Sequence, residues 1–132
     1  MILSIFYSQS GAQEILAGDA LYSATVNETV MPFCLALKAG DVNSIKQYLS
    51  KDMYQKNRTL LEQNKEYPEF LRTYYQGARF QVVKAEETEN NILVNVEIEY
   101  PNGRRNFGKL RLEKDNQDVY GSGSWKIMEF SM

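Results

Sequence analysis

The chain is 132 residues long, enough for one domain that buries about two thirds of its unfolded surface in a single core. Its 15 basic and 17 acidic residues nearly cancel, so no global field favours nucleic acid or anionic lipid, and no apolar stretch reaches the ~18 residues of a membrane span. Histidine is absent, which excludes His-based triads, His general bases and the commonest zinc ligand; the sole cysteine, Cys34, has no partner for an internal disulfide.

The opening MILSIFYSQSGAQE has a short apolar run, Ile2 to Tyr7, and small residues at Ser10 and Ala12 as at a signal-peptidase site. No Lys or Arg precedes Lys38, and the run is shorter than the ~7–15 residues of a signal core. Residues 1–22 are therefore expected to be an N-terminal arm or a signal-peptide relic, leaning toward export with a cytoplasmic chain as the alternative. Residues 23–132 are expected to be one domain.

A first helix is predicted over Thr29 to Ala39, where Val26, Val30, Phe33 and Leu37 keep helical spacing. Thr29 as N-cap would place Pro32 in the tolerated first turn, whereas a start at Thr25 or Asn27 requires a kink. Gly40 can end this helix in the left-handed conformation and Asp41 can cap the next, making a corner without a loop. Val42, Ile45 and Leu49 then share a face, with Met53 one turn further. A third helical region runs from about Arg58 to Gln76, with Leu60, Asn64, Tyr67, Leu71 and Tyr74 on a common face and a new segment starting at Pro68.

Strands follow. Arg79 to Thr88 and Ile92 to Tyr100 flank Asn90-Asn91, whose tolerance of positive φ suits a two-residue turn. The next connection is Pro101-Asn102-Gly103. A two-residue loop would put Val96 opposite Lys109 and charges in the core. A three-residue loop with Gly103 in a bulge pairs Glu99 with Arg105, Ile98 with Asn106 and Val96 with Gly108. Val94, Val96, Ile98, Leu110 and Leu112 then share one face, and Glu97, Glu99, Arg105, Lys109 and Arg111 the other. A last strand is expected over Ser122 to Phe130, with Trp125, Ile127 and Glu129 on one face. Helices followed by hairpins imply an α+β domain with helices on one face of an antiparallel sheet.

The order of PFCLALKAGDVNSIKQYLS at 32–50, YYQGARF at 74–80 and GSWKI at 123–127 resembles the nuclear transport factor 2-like (cystatin-like cone) superfamily over about Val26 to Phe130. Within it, the pattern resembles small bacterial members with lumazine-binding-like or unknown-function labels. The resemblance implies N-terminal helices packed on a strongly curved antiparallel sheet, a cone with a cavity between them. Members use that cavity for isomerisation, dehydration, cyclisation or binding, and the outer sheet face for dimerisation or partner recognition. Fold alone does not choose among these.

The expected pocket lining is Phe33, Leu37, Tyr48, Tyr67, Phe70, Tyr74, Val96, Ile98 and Trp125, an apolar and aromatic set with a few hydroxyls. The leading expectation is a non-enzymatic domain binding a small apolar or amphipathic ligand. The alternatives are a partner-binding or accessory module using the outer sheet face, including a homodimer through the sheet, and a small isomerase, dehydratase or cyclase. Glu87 and Glu129 lie on the inner face by strand parity but near strand ends, so neither is assigned a catalytic role. Glu97 and Glu99 read as an ion-pair ladder rather than a metal pair. GSGS at 121–124 lacks the helix and Lys-Ser pair of a phosphate loop. No cofactor, metal ligand or nucleic-acid contact is assigned.

Overall fold

The computed structural model describes residues 25–88, 90–114 and 125–131. Pro32 decides how the chain begins there. The backbone is already helical at Thr25 (φ −61°, ψ −45°), and Val26–Val30 form a π-turn leading into α1, Met31–Ala39. The Met31 N–H donates to the Val26 carbonyl, five residues back. The irregularity that proline demands of an earlier start thus appears as a widened turn just before it. The expected N-cap at Thr29 is corrected: Thr29 lies within the helical rod, and its hydroxyl donates to the Trp125 carbonyl at 3.2 Å.

Gly40 ends α1 at φ 66°. The Asp41 N–H reaches the Ala36 carbonyl at 2.9 Å and the Gly40 N–H the Leu37 carbonyl at 3.1 Å, the paired bonds of a Schellman ending. Asp41 caps α2, Val42–Tyr48, accepting from the Ser44 N–H at 3.2 Å and the Ser44 hydroxyl at 2.7 Å. The loopless corner is present.

The helical face expected to run on through Leu49 to Met53 is corrected. Leu49 is extended (φ −87°, ψ 146°) and bridges Ile127 in parallel, and the Ser50 N–H donates to the Ile127 carbonyl at 2.9 Å. Ser50 then accepts from the Met53 N–H at 3.0 Å and opens α3, Lys51–Lys56. A serine that satisfies a new first turn competes with continuation of the old helix.

The third helical region divides into α4, Arg58–Glu62, and α5, Tyr67–Tyr74, which takes Pro68 into its first turn. The intervening 63–66 reset the helical phase. Leu61, Leu71 and Tyr75 are buried, while Leu60 is half-buried and Asn64 and Tyr74 are exposed. The common face expected from Leu60 to Tyr74 is corrected accordingly.

Four strands, β1 Arg79–Glu87, β2 Asn91–Glu99, β3 Arg105–Lys114 and β4 Trp125–Ser131, form an antiparallel meander in chain order. Glu99 pairs with Arg105, Ile98 with Asn106 and Val96 with Gly108. Gly103 sits at φ 86°, and its N–H donates to the Tyr100 carbonyl at 2.9 Å. The three-residue loop and its register are therefore as the charge pattern dictates. Asn91 is already strand, pairing with Glu113, so the Asn90-Asn91 turn is corrected. Residues 122–124 of the expected last strand, GSGS at 121–124 and the arm at 1–22 lie outside the described residues.

Two bulges curl the sheet. Val83 is the extra residue between Val82 and Lys84 in β1, and Met128 the extra one in β4, where Leu112 pairs with Ile127 but Arg111 with Glu129. Ile92, Val94, Val96, Ile98, Leu110, Leu112 and Ile127 face the helices and pack with Phe33, Leu37, Ile45, Leu71 and Tyr75 in one core. The architecture is α+β, helices on a curled antiparallel sheet. No described helix is long and apolar enough to cross a membrane.

Candidate functional site

The nine residues expected to line a cavity fall into three groups. Phe33, Leu37, Val96 and Ile98 are buried in the core, where Phe33 meets Phe130 edge to face at 5.1 Å. Tyr48, Tyr67 and Trp125 are half-buried against it. Phe70 and Tyr74 point outward, 57% and 41% exposed. The structure joins the first two groups in packing and places the last pair on the surface.

Clefts open on the surface of the described residues, among them the following two. One of about 640 Å³ lies between α2 and α4–α5, rimmed by Asp41, Asn43, Lys46, Glu62 and Asn64; the other, about 340 Å³, lies over the charged end of the sheet at Arg79, Glu97, Glu99 and Arg105. Neither takes in any of the nine.

Helix α5 instead carries an aromatic row on its outer flank. Tyr67 and Phe70 are nearly parallel with ring centres 6.3 Å apart, and Phe70 and Tyr74 likewise at 5.7 Å. Tyr74 meets Tyr75 edge on at 4.8 Å, and Tyr75 runs inward to Phe80 at 5.7 Å. Three- and four-residue spacing brings these rings together on a helix. The row continues onto the β2–β3 connection, where the Arg104 guanidinium lies 5.1 Å over the Tyr100 ring.

Tyr100, which the sequence presents only as the end of a strand, lies beside Tyr74 and Arg104. It is 8% exposed, and its buried hydroxyl, without a well-formed hydrogen bond among the described residues, lies within reach of the Tyr74 phenol. Burial, then the neighbouring Tyr74 phenol, raises its pKa, with Arg104 opposing. Burial likewise raises Tyr67, and burial followed by the surrounding phenols raises Tyr75. These phenols therefore remain neutral donors at physiological pH. Nothing in the sequence separates Tyr74, outside, from Tyr75, inside.

The carboxylates weighed for catalysis stand elsewhere. Glu129 was expected on the inner face; the bulge at Met128 turns it outward, where it pairs with Arg111 at 2.5 Å. Glu87 is exposed at the end of β1. Glu97 pairs with Arg105 at 3.3 Å, and Glu99 with Arg79 and Arg105. Among the described residues no carboxylate is buried, and no three Cys, Asp or Glu side chains gather as metal ligands.

Helices packed on a curled antiparallel sheet define the structural class, and two solved structures refine it. One, a candidate nuclear transport factor 2-like transpeptidase of Campylobacter jejuni, superposes with a TM-score of 0.56 at 12% identity over 74% of this chain and 91% of that one. The other, a nuclear transport factor 2-like protein of unknown function from Silicibacter pomeroyi, gives 0.54 at 12% identity over 84% and 93%. The fold is thus the nuclear transport factor 2-like fold. Neither neighbour carries the narrower lumazine-binding-like label. No family model matches the chain, and no curated protein matches it.

Proposed function

We propose that the protein is a binding domain without chemistry of its own, and that its contact surface is the aromatic flank of α5. The observation that carries this is the division of its aromatics: Phe33 is sealed in the core while Phe70 and Tyr74 lie open beside Tyr67. Phe33, Leu37, Val96 and Ile98, expected to line a ligand cavity in the cone, are buried in the domain's core. An acid–base enzyme wants a buried carboxylate or histidine; the chain has no histidine, and its described carboxylates are solvated or ion-paired. Clustered exposed aromatics are what contact surfaces concentrate. Random dodecapeptides displayed on phage and selected on the full chain test this. Binders should lose their affinity for a Phe70→Ala/Tyr74→Ala double variant; binders indifferent to it would overturn the assignment.

A second surface has its own observation. Phe107 is 61% exposed on the outer sheet face, opposite Glu97 and beside Arg105 and Lys109. An apolar ring in a charged field suits a partner or a second copy of this chain. Sedimentation equilibrium of wild type against Phe107→Asp checks it: association lost in the variant supports this surface, and identical masses remove it.

A further inference from the structure

We propose that two copies of this chain pair edge to edge through β1, as antiparallel neighbours related by a two-fold axis at Ala85. The two four-stranded sheets then become one, with both sets of helices on the same face. This goes beyond the reading of α5 as a contact surface and does not depend on it.

β1 is the outermost strand of the sheet and pairs only with β2 among the described residues. The opposite edge is partly taken, since Leu49 bridges Ile127 on β4 and the Ser50 N–H donates to the Ile127 carbonyl. On β1 the ladder fixes which main-chain groups stand open. The Thr88 N–H donates to the Asn91 carbonyl at 2.8 Å, so Thr88, Glu86 and Lys84 turn their main-chain groups toward β2, and Glu87 and Ala85 turn theirs outward. The inner layer is uncovered on this side as well. Ile92, Val94, Val96 and Ile98 of β2 are at most 1% exposed, whereas Phe80, Val82 and Ala85 of β1 are only half-buried.

Charge selects the occupant and its register. Lys84 and Glu86 share the outer sheet face, opposite Asn95 and Leu93, and both are exposed. Neither enters an ion pair among the described residues. A two-fold axis perpendicular to a sheet sets one residue opposite its own copy. In the regular stretch after the Val83 bulge, an axis at Lys84, Glu86 or Glu87 sets like charges face to face, which is destabilising. An axis at Ala85 instead sets Lys84 opposite Glu86 of the second copy, and Glu86 opposite its Lys84. It also lets the two outward-turned Ala85 residues exchange both N–H···O bonds. Charges on a sheet edge repel unmatched strands, and here they are complementary to themselves.

Sedimentation equilibrium of the full chain at low salt, from about 10 µM to about 1 mM, should show a monomer–dimer equilibrium. Lys84→Glu and Glu86→Lys each set like charges opposite one another at both symmetric positions. Each alone should weaken association about tenfold or more. The double variant Lys84→Glu/Glu86→Lys should restore it. The two single variants mixed should form a heterodimer, because every facing pair is then unlike. Ala85→Pro removes a donor that faces away from β2, so it should abolish association while circular dichroism shows the fold retained. A wild type that stays monomeric at about 1 mM, or a mixture that associates no better than either single variant, would overturn the proposal. Association lost in Phe107→Asp but kept in Ala85→Pro would overturn it too, and would assign the contact to the outer sheet face.

Discussion

Gly40 lies directly beneath the carbonyl of Pro68: a Cβ built at Gly40 would come inside 3.0 Å of that oxygen. The same residue holds φ 66°, so α1 turns into α2 and packs against the start of α5 at one point. Gly40→Ala meets both the left-handed penalty of ~1–2 kcal/mol and a backbone clash, giving an expected loss of about 2–4 kcal/mol. Gly103 makes the control. Its φ is 86° but nothing lies within 4 Å of an added Cβ, so Gly103→Ala should cost only ~1–2 kcal/mol. Urea unfolding of the two variants checks the difference; equal losses would mean that the Gly40–Pro68 contact relaxes freely.

The Tyr54 hydroxyl donates to the Glu62 carboxylate, joining α3 to α4. This bond, aided by Lys46 and Arg58, holds the Glu62 pKa below its ordinary 4.5, and it raises that of Tyr54 above 10.0. The lowered carboxylate contributes stability above pH 4.5 that is lost as pH falls through the folded value. The raised phenol contributes stability below pH 10.0 that is lost as pH rises through the folded value. Tyr54→Phe should therefore flatten the stability profile at both ends while leaving its middle shape unchanged. Melting temperature followed from pH 3 to 11 checks it, and a variant with unaltered limbs would show the bond to be without thermodynamic weight.

The register of β2 on β3 was legible because a one-residue slip would have buried Lys109 and Arg111, and no folded sheet tolerates that. The Gly40-Asp41 corner was legible because each residue type has one dominant local role there. The bulges were not. Val83 and Met128 are ordinary apolar residues in strand-like runs, and nothing in their chemistry announces that the ladder skips them. One skip moved Glu129 to the outer face. On α5 the obstacle was different: with Tyr74 and Tyr75 adjacent and the phase reset at 63–66, either aromatic satisfied a core stripe, and the helix turned Tyr75 inward. Phe70 and Tyr74, expected toward the cone, therefore lie on the outer flank of their helix.

Cys34 is buried in the core, and burial pushes its thiol pKa up to about 12. Only thiolate attacks a disulfide reagent, so the native chain should be inert to Ellman's reagent at pH 8 and release one equivalent in denaturant. Slow native labelling then reports opening of the core. Gly40→Ala should speed that labelling about tenfold for each 1.4 kcal/mol it costs, provided opening is global. Rapid labelling of the folded wild type would contradict the burial of Cys34.

Phe33 and Phe70 are the same side chain on opposite sides of the domain boundary, and their substitutions should have opposite consequences. Phe33 is sealed under the sheet against Phe130, so Phe33→Ala leaves a cavity and should cost about 3–5 kcal/mol. Phe70 is 57% exposed, so Phe70→Ala should change stability by no more than ~0.5 kcal/mol. Binding should reverse the order. At temperatures where Phe33→Ala remains folded, it should keep peptide affinity within about threefold, while Phe70→Ala should lose about tenfold or more. Circular dichroism melts together with peptide titrations on each variant give both axes. A Phe70→Ala variant that melts early while binding normally would assign that ring to packing. A Phe33→Ala variant that stays stable and loses binding would return the contact to the interior of the cone.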